Sequence, residues 1–203
     1  MRERGMIFNA EMVRAILNGS KTQTRRVFKK QPDEDGVSCL EGRWFDSSET
    51  RHDNPFGKVG DHIWVRETFT PFPGQGDGAK YLYRADADDD GSVPYLVSNA
   101  GGFGGGVGNS TPERWVPSIH MPRTASRILL EIIGVRLEQL IDISEEDAQA
   151  EGVTPSQNSL TPPEALYRVG FANLWRDFYG EENWDSKPWV WVIEFKRVEV
   201  SND

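Results

Sequence analysis

Arg127-Ile128-Leu129-Leu130-Glu131-Ile132-Ile133-Gly134-Val135-Arg136-Leu137 is the stretch that decides the fold. Its first half is almost continuously apolar and rich in β-branched residues, the pattern of a strand covered on both faces. Gly134 reads as a bulge or bend, after which the apolar pattern resumes with Val135 and Leu137. A second strand is predicted from Pro188 to Val198. There Trp189, Trp191, Ile193 and Phe195 alternate with Val190, Val192, Glu194 and Lys196, so its first half is apolar on both sides and belongs at the centre of a sheet.

Outward from these two, the opening segment reads as strand, helix, turn, strand. Asn9 caps a short helix over Ala10 to Asn18, with Met12, Val13, Ile16 and Leu17 on one face and Gly19 where a C-terminal glycine belongs. The following Lys21-Thr22-Gln23-Thr24-Arg25-Arg26-Val27 alternates Thr22, Thr24 and Arg26 with Gln23, Arg25 and Val27. Polar residues thus line both sides. A purely structural strand commits one face to the core, so this one is a site candidate. Further strands are predicted at His62 to Phe69 and Lys80 to Ala85. Ser144-Glu145-Glu146-Asp147 resembles a capping box opening a helix that Gly152 ends, and a longer helix runs from about Pro162, capped by Thr161, to Tyr179. Few helices among several strands predict an α+β fold built on a small, curved or barrel-like mixed sheet. Residues 1–203 read as one domain, with elaborations at about 28–56 and 70–126 and the helix at 162–179 as an addition.

The 203 residues carry 23 Lys and Arg against 32 Asp and Glu, a formal charge of -9. Such a balance argues against a nucleic-acid binder until it is divided. Residues 1–30 hold eight basic side chains against Glu3 and Glu11, a local +6, so the remaining 173 residues carry -15. Acidic side chains concentrate at Glu138, Asp142, Glu145, Glu146, Asp147 and Glu151, with no Lys or Arg between Leu137 and Glu151, which on composition alone reads as a solvated face.

The single cysteine, Cys39, permits no intrachain disulfide and suits a reducing compartment. No apolar run approaches the roughly 20 residues that span a bilayer, and Met1-Arg2-Glu3-Arg4 leads into no long apolar segment, which predicts a cytoplasmic protein without membrane contact. His52, His62, His120 and Cys39 are isolated, so neither a metal centre nor any other cofactor is expected. The glycine-rich stretch 98–110 matches no phosphate-binding pattern and reads as a mobile loop.

Several segments in this order resemble the ASCH domain of the PUA-like superfamily. They are Gly19-Ser20-Lys21-Thr22-Gln23-Thr24-Arg25-Arg26, the turn Gly60-Asp61 before a strand, Leu140 through Gly152, and Trp191-Val192-Ile193-Glu194-Phe195. Trp64-Val65-Arg66-Glu67 and Ser118-Ile119-His120-Met121-Pro122-Arg123 are similar to segments of the longer ASCH-type proteins of phage and prophage genomes. The resemblance covers about half the chain. It implies a PUA-like mixed β-barrel with flanking helices, long loop insertions and a pocket for RNA or a modified nucleoside.

In the bacterial ASCH enzyme that hydrolyses 4-acetylcytidine, the corresponding Lys, Thr and Glu form the active site. The resemblance carries these roles to Lys21, Thr24 and Glu151: Thr24 attacks the acyl carbonyl, Lys21 takes its proton, and Glu151 orients Lys21 or assists proton transfer. Arg26 corresponds to the motif's Arg and is expected at a base edge or an oxyanion. Arg25, Trp64, Arg66, Trp115, His120 and Arg123 are the further candidates for contact with substrate or nucleic acid, combining cationic groups with stacking surfaces. Other ASCH relatives bind RNA or resemble ribonucleases. The expected function is therefore RNA or modified-nucleoside binding with removal of an acyl group from a pyrimidine. A non-catalytic reader of single strands, a ribonuclease on the same scaffold and a protein-interaction module are the alternatives.

Overall fold

The two long apolar stretches pair with each other as β11 (Leu129–Gln139) and β12 (Trp189–Arg197) at the heart of a five-stranded sheet. The computed structural model describes residues 1–32, 36–40, 43–72, 80–97 and 106–198. With β1 (Glu3–Ile7), β2 (Gln23–Val27) and β6 (His62–Arg66), the sheet order is β1-β6-β11-β12-β2. β1 and β6 run parallel, and the other pairs are antiparallel. The expected bulge is present: the β11–β12 register shifts between Ile132 and Gly134.

Helices cover both sheet faces. α1 (Ala10–Leu17) packs Val13 and Ile16 with Phe8, Ile63, Leu130, Ile132, Ile193 and Phe195. Its N-cap is Asn9, whose side chain accepts from the Met12 N–H at 2.8 Å. Gly19 follows at φ +82, a conformation that a Cβ would strain, and turns the chain into β2. On the opposite face α2 (Glu145–Ala150) and α3 (Leu166–Tyr179) close over Leu140, Phe171, Trp175, Val190 and Val192. The N-cap half of the expected capping box is present at Ser144, which accepts from the Asp147 N–H at 3.0 Å, while the Asp147 carboxylate pairs with Arg25 and Arg136.

The start of the long helix differs from expectation. A 3-10 turn occupies Pro163–Ala165, and the second and third N–H groups of α3, on Tyr167 and Arg168, donate to the Glu145 carboxylate at 2.6 and 2.9 Å. The cap comes from another helix rather than from Thr161. Gly170 lets the segment around Thr154 lie close against α3, because a Cβ there would lie 2.3 Å from the Thr154 carbonyl oxygen.

The elaboration at about 28–56 contains a three-stranded sheet: β3 (Val37–Leu40), β4 (Arg43–Asp46) and β5 (Arg51–His52). Hairpins β7 (Phe69–Pro71) with β8 (Tyr81–Tyr83), and β9 (Val93–Val97) with β10 (Gly106–Ser110), fill part of 70–126. The glycine stretch read as a mobile loop is thus partly a strand, and its residues 98–105 lie outside the described ones. The fold is α+β as expected, but among the described residues no ladder joins β2 to β1, so the expected barrel is not closed. The two edges meet instead through a side chain, Arg26 Nη2 donating to the Ile7 carbonyl at 2.7 Å. No helix among the described residues is long and apolar enough to cross a membrane.

The small sheet turns on Asp46. Its carboxylate accepts from the Ser48 hydroxyl at 2.7 Å and the Thr50 N–H at 2.8 Å, and pairs with His52 Nε2 at 2.9 Å. The Ser48 bond first, then Thr50 and His52, hold its pKa down to about 2. A carboxyl depressed in the folded state contributes stability above its unfolded value, near 3.9, and that contribution is lost as pH falls toward 2. Asp46→Asn should therefore remove part of the pH dependence of unfolding between about pH 4 and 2. Urea midpoints measured across that range check it, and identical slopes in the two proteins would count against it.

Candidate functional site

β2 is an edge strand, and the free edge is what lets both of its faces serve one site. Its register sets Thr24 opposite Ile193 and Arg26 opposite Trp191, so these two share the α1 side of the sheet. Arg25, opposite Val192, lies on the α2 and α3 side. Lys21, just before the strand, forms a bridge with Glu151 at the end of α2, and the Thr22 N–H donates to the Ala150 carbonyl at 2.8 Å. The outcome is a cavity of about 1210 Å³ lined by Lys21, Thr24, Arg25, Arg26 and Glu151 together with α1, the 153–158 segment and α3.

Lys21 and Glu151 are 130 positions apart in sequence and both line this cavity. Lys21 Nζ donates to Glu151 Oε2 at 2.6 Å and to the Glu151 backbone carbonyl at 2.8 Å, with side chains only 1% and 5% exposed. Burial pulls the Lys21 pKa below the usual lysine value; Glu151 opposes this, and the cations of Arg26 and Arg25 add to it. A neutral amine has two N–H donors and one lone pair. Glu151 takes both donors, so the lone pair is directed away from it. Thr24 is 2% exposed and lines the same cavity.

Arg26 also lines the cavity, its guanidinium 5.3 Å from the centroid of the Phe8 ring, while its Nε is buried with no hydrogen-bond partner. Burial lowers its pKa, against Tyr179 and Glu151, which raise it. Arg25 behaves differently. Its side chain is fully buried and its guanidinium donates to Glu151 Oε1 at 3.2 Å, Asp147 Oδ2 at 2.9 Å and Glu138 Oε1 at 3.0 Å. It has no exposed surface with which to meet a phosphate.

The chain matches no family model, no curated protein and no solved structure.

The remaining candidates do not line this cavity. Trp64 and Arg66 sit on the side of β6 opposite the buried Ile63 and Val65, the Arg66 guanidinium 5.4 Å from the Trp64 ring centroid and donating to the Ser118 and Ile119 carbonyls. Trp115 lies beneath Arg84 at 5.5 Å. His120 is exposed. Arg123 pairs with Glu3 at 2.9 Å. The loop that carries them is packed on the body by Met121, 2% exposed, against Phe69 and Ala125.

Two features, the aromatic wall of the cavity and the acids behind Arg25, were missed in the sequence. Tyr167, Phe171, Trp175, Phe178 and Tyr179 of α3 give it an aromatic wall, with Trp175 and Tyr179 ring centroids 4.5 Å apart. Phe178 is 53% exposed. Glu138 and Asp147, read as solvated, turn toward Arg25. The run of acids without a basic partner was the available signal, since an unbalanced cluster can draw its cation from another strand. Among the described residues no group of His, Cys, Asp and Glu is arranged to hold a metal ion.

Proposed function

We propose that this chain is an ASCH-type, PUA-like protein that binds a modified pyrimidine nucleoside and removes an acyl group from its exocyclic amine. The observation that carries the reading is the buried Lys21–Glu151 pair in the cavity that Thr24 also lines. The aromatic wall of α3 supports a planar ligand, since a base stacks on such rings. The charged residues lining the cavity carry no excess of cations, with Arg14, Lys21 and Arg26, and Arg25 with its side chain buried, against Glu11, Glu146, Glu151 and Asp177, which favours an uncharged nucleoside over a phosphate-rich strand.

In the proposed reaction Thr24 Oγ attacks the acyl carbonyl carbon and its proton passes to the Lys21 lone pair. The carbon–nitrogen bond breaks as Lys21 returns that proton to the departing amine. Water then attacks the threonine ester with Lys21 again as base, releasing the carboxylic acid and restoring Thr24. Arg26, next to the cavity with an unpaired Nε, is placed in this scheme at the developing oxyanion.

The test is acetate release from 4-acetylcytidine by the purified protein. Thr24→Ala should reduce turnover by at least about 10³-fold with thermal unfolding unchanged within a few degrees. No turnover on any acylated pyrimidine nucleoside, or full activity in the variant, would defeat the proposal. Strand binding has less support, because Arg25, Arg66 and Arg123 donate to groups of the protein itself. A salt-dependent affinity for single-stranded RNA would restore it.

A further inference from the structure

The Glu151 carboxylate is gripped from two sides. One oxygen accepts from Lys21 Nζ at 2.6 Å and the other from Arg25 Nη1 at 3.2 Å. Arg25 is itself fixed: Glu138 of β11 and Asp147 of α2 hold its other nitrogens, and the Phe171 ring of α3 lies 5.7 Å from its Cζ. Arg136 of β11 pairs with the same Glu138 and Asp147. The charged groups around Lys21 are thus Glu151, Arg25 and Arg26, and those around Arg25 are Glu138, Asp147 and Glu151, with Arg136 behind.

We propose that Arg25 is a positioning residue: it locks the Glu151 carboxylate so that both donors of neutral Lys21 are occupied and its lone pair is turned into the cavity. Arg25 touches no ligand in this role, its side chain being 0% exposed. A carboxylate free to rotate would let the Lys21 amine rotate with it, and a misdirected lone pair cannot meet the Thr24 proton. The inference rests on the acyl-transfer reading of the same site and adds to it the element that aims the base. It also moves Arg25 from the ligand-binding candidates to the structure beneath them.

Two variants separate the parts of this role. Arg25→Lys keeps the charge but loses the planar fork, so kcat should fall on the order of 100-fold while KM and the pH profile stay unchanged. Arg25→Gln also removes a cation that depresses Lys21, so the limb of activity governed by Lys21 should move to higher pH along with the loss in kcat. Circular dichroism establishes the folded fraction of each. If Arg25→Gln does not fold, Arg25→Lys decides alone. The 15N resonance of Lys21 Nζ, followed against pH in the wild-type and Arg25→Gln chains, reads the coupling without turnover. Should the protein hydrolyse no acylated nucleoside, an upward shift of that titration still supports the Arg25 role, and an unchanged titration overturns it. Unaltered kcat in the folded variants, or a rise in KM with kcat intact, overturns it as well, the latter by making Arg25 a ligand contact.

Discussion

Lys21→Arg should be as inactive as Lys21→Ala, each losing about 10⁴-fold in kcat/KM on an acylated cytidine. Arginine keeps a cation opposite Glu151 but does not give up its proton in this pH range, so it cannot serve as a base. A purely electrostatic Lys21 would survive that exchange. In the proposed reaction the active form is the neutral amine. Activity should therefore rise with pH through the Lys21 titration, at a value below that of an ordinary lysine. Glu151 raises the Lys21 pKa, so Glu151→Gln should carry this limb to lower pH, opposite in sign to the change expected from Arg25→Gln. Retention of more than a tenth of wild-type activity by Lys21→Arg would exclude Lys21 as the base.

The second large effect is on stability and lies away from the cavity. Glu67, 1% exposed, receives both arms of Arg127, Nε to Oε1 and Nη2 to Oε2, each at 3.0 Å. The same guanidinium forks onto Asp86 at 2.6 and 2.9 Å and lies 4.0 Å from the Tyr83 ring centroid. Burial pushes the Tyr83 phenol up to about 12 and raises Glu67, against the pull of Arg127. Arg127→Ala leaves a buried carboxylate uncompensated and should cost about 3–5 kcal/mol at neutral pH. Its defect should shrink on acidification, because a carboxyl whose folded pKa is raised gives full stability only below its unfolded value, near 4.3. The double variant Glu67→Gln with Arg127→Met should recover most of the loss. Denaturant titrations at pH 7 and pH 5 measure both. Equal losses at the two values would mean that packing over Tyr83, and not the stranded charge, sets the cost.

How much of this could be read beforehand varies with the kind of interaction. The strands at 129–139 and 189–197 were legible because burial on both faces writes itself as continuous apolar sequence. The helix over 10–17 was legible through Asn9 and the spacing of Val13 and Ile16. The sheet at Val37–His52 was not, since Ser38, Cys39 and Leu40 are exposed and burial imposes no alternation on them. The cap of α3 was illegible for another reason: its acceptor, Glu145, is 22 residues from the Tyr167 N–H it satisfies. The polar alternation of 21–27 marked a strand whose residues line the cavity. Which of its cations would stay free was beyond local pattern, because Arg25 is neutralised by residues that follow it by more than 110 positions.

The bulge in β11 has a further consequence, one of parity. Leu130 and Ile132 face the α1 core, and a strict two-residue period would send Gly134, Arg136 and Glu138 there with them. The unpaired residue between Ile132 and Gly134 reverses odd and even. Val135 comes to lie opposite Ile193, while Arg136 and Glu138 come to lie opposite Val192 and Val190, on the side where Arg25 and Asp147 wait. A single inserted position thus sorts one strand into a greasy half-row and an ionic half-row on opposite sides of the sheet. Seen this way, the aim of the Lys21 amine is set partly by counting, at a place in the chain more than a hundred residues away.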